Sequence, residues 1–174
     1  MSIKKYPDPI LDKVSSLAHE NMSVKEIHAL SKKMREACWD VKGFGISAVQ
    51  IGEPVQIFGM YSIKKNDLIW ITDAEIISSE GKSSYTEGCL SIPGYFWNIV
   101  RPEKVTLSYK TLNGDEKVKT FSGVEARIIQ HELDHFDGIL IPDLMNDEQY
   151  MEFNFNFSNK ISIYDYEAPE LFVV

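Results

Sequence analysis

The chain has 174 residues, 44% hydrophobic and 25% charged, which is ordinary globular composition and enough for one domain with a sizeable core. A formal charge of −8 with scattered Lys and Arg disfavours DNA and other nucleic acids, because like charge repels a phosphate backbone. Cys38 and Cys89 make no disulfide framework and point to a reducing, cytoplasmic compartment; no signal-peptide pattern is read, and no apolar run has membrane-span length.

Tyr6-Pro7-Asp8-Pro9 reads as extended, since proline pushes the residue before it out of the α region. Ser23-Val24-Lys25-Glu26 has capping-box spacing, and Ile27, Leu30, Met34, Cys38 and Val41 recur along one helical face up to Gly43. Cys38 is therefore a core residue, and His19 and His28, without a ligand partner at useful spacing, are structural. The stretch from Gly43 to Gly52 is glycine-rich, but it follows a helix and lacks both Gly-x-Gly-x-x-Gly and a Lys-Ser/Thr pair, so it is no phosphate loop. It offers backbone that can approach a ligand closely, and one neutral amide, Gln50, able to donate to an oxyanion.

Residues 55–60 and 68–72 are rich in branched and aromatic side chains around a polar Lys64-Lys65-Asn66-Asp67 turn, which predicts a hairpin. Residues 104–111 and 116–121 flank Asn113-Gly114, predicting a second hairpin with a type I′ turn. Ser122-Gly123-Val124-Glu125 has capping-box spacing before a helix stopped by Gly138, with Val124 and Ile128 on one side and Ile129, Leu133 and Phe136 on the other. Residues 150–157 alternate aromatic and polar, predicting an edge strand that closes a sheet. Strands followed by a central helix, without repeats, predict one α+β domain over 1–174. Antiparallel or mixed sheets pack around that helix, and a divergent tail starts at about residue 147.

On that helix, Gln130-His131-Glu132-Leu133-Asp134-His135 puts His131 and His135 one turn apart on the same face, with the Glu132 carboxylate at its edge. Alone, the pair could equally be two hydrogen-bonded histidines. A catalytic ion needs a third protein ligand and keeps one position for water. Cys89, beside a glycine in Thr86-Glu87-Gly88-Cys89-Leu90-Ser91, is the candidate, because the same ion would stabilise its thiolate. The plainer reading of a lone cysteine is a small buried hydrophobe.

Taken in order, Gly43-Phe44-Gly45-Ile46-Ser47-Ala48-Val49-Gln50, Glu87-Gly88-Cys89-Leu90-Ser91 and Gln130 to His135 resemble the three signature motifs of the peptide deformylase family. Similarity runs from about Tyr6 to Asp143 and includes Arg101-Pro102-Glu103-Lys104-Val105. The resemblance implies hydrolysis of the N-formyl group from the formyl-methionine of nascent polypeptides, releasing formate. It implies one divalent ion held by Cys89, His131 and His135, Fe2+ in the family with Zn2+, Ni2+ or Co2+ as substitutes, which lowers the pKa of its water to about 7. Glu132 would move the proton, and the Gln50 amide and Leu90 backbone N–H would hold the formyl oxygen. Phe44, Tyr85, Val124, Arg127 and Ile128 would line the methionine pocket, with Gly45 pairing with substrate backbone. Glu87, grouped with these substrate-site residues, would pair with Arg101 to fix the Cys89 loop.

Departures from the family pattern carry expectations too. Ser47 stands where alanine is usual and Val49 where proline is usual, predicting a less rigid Gln50 loop. Phe44 replaces a smaller aliphatic residue, and Phe96 an arginine of some members, giving an aromatic Tyr95-Phe96-Trp97 rim. The tail lacks the basic helix by which some members dock at the ribosome, so contact there is expected to be transient at most. A zinc peptidase shares His-Glu-x-x-His but draws its third ligand from a downstream His or Glu, and no His follows His135. A non-catalytic binding module with a structural metal would need neither Glu132 nor Gln50.

Overall fold

A computed structural model describes residues 2–62, 64–161 and 171–173. After a single-turn helix α1 (Ala18–Asn21), the Ser23 capping box forms as its spacing predicts. Ser23 N donates to Glu26 Oε2 at 2.8 Å and Glu26 N to Ser23 Oγ at 3.4 Å, opening α2 (Val24–Asp40). Ile27, Leu30, Met34 and Cys38 are buried on its inner face. The chain turns away with Lys42, rather than Gly43, in the left-handed region.

Strands β1 (Gly45–Ser47), β2 (Ile57–Ser62), β3 (Asp67–Glu80), β4 (Ser83–Cys89), β5 (Ile92–Arg101), β6 (Lys104–Lys110) and β7 (Glu116–Ser122) follow. They lead into α3 (Gly123–Phe136), α4 (Asp147–Ser158) and a short β8 (Leu171–Val173). One sheet is antiparallel in the order β1-β2-β3-β6-β7; the other is mixed, β5-β4-β8, with β8 parallel to β4. This is the expected α+β class. The central helix α3 buries Ile128 and Ile129 with Phe58, Ile71, Leu107 and Phe121 of the large sheet, each such side chain contributing about 1.5–3 kcal/mol on burial. A second cluster packs α2 against β1 and β2, and a third joins Leu11, Cys89, Ile92 and Ile99 to Leu140 and Phe153. Among the described residues no helix is long and apolar enough to cross a membrane.

Both predicted hairpins form, as β2–β3 and β6–β7, but the second turn is not type I′. Of Asn113 and Gly114 only the glycine has positive φ, and Thr111 pairs with both Gly114 and Asp115, a wider loop with Gly114 as the left-handed corner. Ser122 is the N-cap of α3 without a side-chain cap bond, because Gly123 with φ 60° swings the chain out of capping-box geometry.

Residues 150–157 are helical, not an edge strand. Asn146 and Gln149 form a capping box, Asn146 N donating to Gln149 Oε1 at 3.0 Å and Gln149 N to Asn146 Oδ1 at 2.9 Å. The aromatic alternation also contains the helical pair Phe153 and Phe157, whose rings stack at 5.5 Å and face Tyr6 and Tyr95. Phe155 and Met151 are left exposed. The strand at the β4 edge comes from residues 171–173 instead, and residues 162–170 and 174 of the expected divergent tail lie outside the described residues.

Gly138 ends α3 at φ +69°, where an added Cβ would stand 2.5 Å from Asp12 O. Strain and collision add, so Gly138→Ala is expected to lose about 2 kcal/mol or more in urea denaturation. Exposed Asp137→Ala should stay within about 0.5 kcal/mol.

Candidate active site

Helix α3 carries His131, Glu132 and His135, all buried, and the end of β4 delivers Cys89 to them. The ladder between β4 and β5 slips between Gly88 and Cys89; such a bulge re-aims the side chain that follows it. Cys89 Sγ lies 3.4 Å from His135 Nε2, and the ligand atoms of Cys89, His131 and His135 all fall within 4.8 Å of one another. His131 Nδ1 is held by Glu87 Oε2 at 3.0 Å, leaving its buried Nε2 with no partner. Both Glu132 oxygens are likewise buried without a hydrogen-bond partner. Orphaned buried polar atoms are rare unless an ion or water completes them, and one thiolate with two imidazoles is a donor set for zinc or iron-group ions. The residues therefore fit one divalent metal.

The three donors share protons with Glu87 and Glu132, and a bound ion would displace those on its ligands. Burial opposes a Cys89 thiolate, but His135 and His131 hold the thiol well below its usual pKa. Burial would lower the pKa of His131, yet the nearby Cys89 sulfur and the Glu87 carboxylate raise it to about 10. Burial pushes Glu132 well above the usual carboxylate range, with His131 opposing and Cys89 and Asp134 adding.

Gln50 faces this group from a buried 3₁₀ turn, Ala48–Ile51. Its Oε1 accepts Ser47 N at 2.9 Å, so its amide nitrogen points the other way, 3.5 Å from Cys89 Sγ and 3.2 Å from Ser91 Oγ. These bonds hold the Gln50 side chain between Ser47 and the Cys89 loop. Leu90 is buried beside Cys89, and a cavity of about 220 Å³ lined by Lys5, Cys89, Leu90, Tyr95 and Phe96 adjoins them.

Glu87 is completely buried and bears more than the expected single ion pair. Arg101 reaches it through Nε at 2.7 Å and Nη2 at 2.9 Å, Arg127 through Nη1 at 2.8 Å, and His131 through Nδ1. Burial would raise the Glu87 pKa, but His131 and Arg101 hold it well below the usual range. Arg101 also bridges to Asp134 at 2.7 Å. Arg127 donates further to Ile99 O and Ser83 O and lies over the Tyr85 ring at 5.0 Å. The charged groups of Glu87 and Arg127 are thus spent on one another, behind His131. Ile128 is buried in the α3 core with half-buried Val124 against it. Phe44 is 37% exposed, edge-on to Tyr61 and beside Trp39 at a surface cavity of about 380 Å³, and Gly45 follows it in β1.

The polypeptide deformylase family model matches residues 1–150. The chain belongs to that family. It is 36% identical to a peptide deformylase of Rhizobium meliloti (strain 1021), the match covering 80% of this chain and 82% of the relative. It is 38% identical to one of Caulobacter vibrioides, over 68% of this chain and 70% of the relative. The crystal structure of a peptide deformylase from Legionella pneumophila superposes with a TM-score of 0.82 at 30% identity, covering 91% of this chain and 93% of that one. As a deformylase-family enzyme, the chain is a metal-dependent hydrolase of N-terminal formyl-methionine.

Sequence reasoning missed four partners in this deformylase site. Ser91, which accepts the Gln50 amide, and Asp134 lie inside the quoted motifs; Arg127 as a second partner of Glu87, and Lys5 at the cavity, had no spacing to announce them. Removing Glu87 strands two buried guanidinium groups and frees His131. Glu87→Ala is therefore expected to lose about 3–5 kcal/mol of stability in urea and about 10–100-fold in metal affinity by competitive chelator titration. Arg101→Ala, which leaves Arg127 on Glu87, should cost less on both counts; metal affinity indifferent to Glu87 would contradict this network.

Proposed function

We propose that Cys89, His131 and His135 hold the metal, that Glu132 is the proton carrier, and that Gln50 and Leu90 receive the formyl oxygen. The observation carrying this reading is the convergence of the three donor atoms within 4.8 Å with the Gln50 amide 3.5 Å from the sulfur and Glu132 unpartnered beside them. The bound ion supplies Lewis acidity and an activated water. Glu132, fully buried with neither oxygen partnered, takes a proton and returns one to the leaving amine, since an amide anion departs too poorly on its own. The Gln50 nitrogen, oriented by Ser47 and Ser91, and the Leu90 N–H donate to oxygen as negative charge grows there. Water and the formamide thereby yield formate and a free amine.

Gly45 pairs with peptide backbone, while Phe44, Tyr85, Val124 and Ile128 shape the methionine pocket; Arg127 and Glu87 act on it from behind, by position. Fe2+ is the proposed ion, on the family resemblance, with Zn2+, Ni2+ and Co2+ accepted by the same ligands. The proposed setting is the cytoplasm, on N-formyl-methionyl nascent peptides with transient ribosome contact, and residues 1–174 act as one catalytic domain whose tail departs from the family pattern from about residue 147.

Formate release from a formyl-Met-Ala peptide tests the assignment directly. Glu132→Ala should lower kcat by about 10²–10⁴ with metal content unchanged, and chelation should abolish activity until a divalent ion is restored. A Glu132→Ala enzyme within tenfold of wild type, or cleavage of internal bonds in an unformylated peptide, would overturn the reading.

A further inference from the structure

The two loops proposed to receive the formyl oxygen come from distant parts of the chain, and one short segment, residues 4–6, ties both. Lys4 N donates to Gln50 O at 2.7 Å, Lys5 Nζ to Leu90 O at 2.6 Å, and Tyr6 N to Ser91 O at 2.9 Å. The three donors are consecutive residues, and their three acceptors are the carbonyl of the amide-bearing Gln50 and the two carbonyls that follow Cys89. The segment is itself pinned at either end. Ile3 is buried in the cluster that contains Ile51 and Leu90, and the Tyr6 ring packs edge-on against Phe153 and Phe157 of α4. Its place is set by packing, and its donors then impose that place on the loops.

We infer that residues 4–6 are a positioning clamp for the formyl-oxygen site, with Lys5 as its side-chain member. This rests on the roles proposed for Gln50 and Leu90. The chemical logic follows from how such a site works: its donors stabilise the transition state only if they are fixed before the charge appears. The Gln50 amide is already coupled to the second loop through Ser91 Oγ at 3.2 Å, and the Leu90-Ser91 peptide plane directly follows the plane that carries the Leu90 N–H, so a shift of the first disturbs both donors. Lys5 Nζ holds that plane through its carbonyl. An ammonium is also a charged donor, which makes the bond stronger than a neutral one. Lys5 acts through Leu90 and does not touch substrate in this account, so its loss should appear in turnover and not in peptide affinity.

The test is steady-state formate release by the full-length, metal-loaded enzyme and its Lys5→Met and Lys5→Arg variants, with thermal melting and metal content recorded for each. Lys5→Met should lower kcat about tenfold, less than the 10²–10³ for removing an oxyanion donor itself, with KM and the inhibition constant of the deformylated Met-Ala product within twofold. Lys5→Arg, which keeps a charged donor, should return kcat to within about twofold of wild type. An active wild type with Lys5→Met kcat within twofold overturns the clamp alone, as does a rise in KM at constant kcat, or a fall in kcat that tracks lost melting temperature or metal. A wild type that releases no formate overturns the functional reading beneath it.

Discussion

The structure turns on one buried carboxylate. Glu87 sits at the end of β4, two residues before the sulfur proposed to bind the metal, and takes bonds from β5 through Arg101 and from α3 through Arg127 and His131. A lone carboxylate at zero exposure would be protonated or expelled; surrounded by donors from both sides, it stays charged and locks the strand that carries Cys89 to the helix that carries the histidines. Its bond to His131 Nδ1 fixes which ring nitrogen is left for the ion, the usual task of the partner behind a ligand histidine. A purely apolar junction could pack these elements as tightly, but it would not choose the tautomer.

The opposite side of the site is arranged on a different principle. There the atoms are deliberately incomplete: His131 Nε2 and the Glu132 oxygens are buried without partners, while the Gln50 nitrogen has only the long contact to sulfur and the one to Ser91. Leaving such groups unpaired costs about 1–3 kcal/mol each unless a ligand completes them. The surrounding hydrophobic clusters and the Glu87 network supply the rigidity against which that cost can be held. Stability and reactivity are thus separated in space, one behind the histidines and the other in front.

Much of this was legible in the sequence where spacing and chemistry coincide. The helical offset of His131 and His135, the glycine next to Cys89 and the Ser23 capping box each have a local physical meaning, and four strands of the larger sheet follow from two patterned hairpins, whereas the smaller sheet of β5, β4 and β8 has no such pattern. Where one pattern admits two readings, sequence reasoning took the wrong one. The alternation at residues 150–157 satisfies both a strand and a helix, and the Asn146–Gln149 cap that decides for α4 was as visible as the one at Ser23. The Ser122 cap failed for the converse reason: correct spacing, but a Gly123 conformation that spacing does not encode. Arg127 read as a pocket residue because helical position alone does not reveal that its guanidinium turns toward Glu87. The bonds of Lys4, Lys5 and Tyr6 depend on how a distant loop returns, which no local pattern records.

The central claim is that a sulfur from β4 and two ring nitrogens from α3 share one cation, and X-ray absorption at the metal edge of the purified, anaerobically handled protein tests it most directly. The account predicts a first shell with one sulfur at about 2.3 Å and nitrogen donors at about 2.0–2.1 Å, figures appropriate to the zinc-loaded form, the sulfur vanishing in Cys89→Ser. A shell of nitrogen and oxygen alone in the wild-type protein would contradict it.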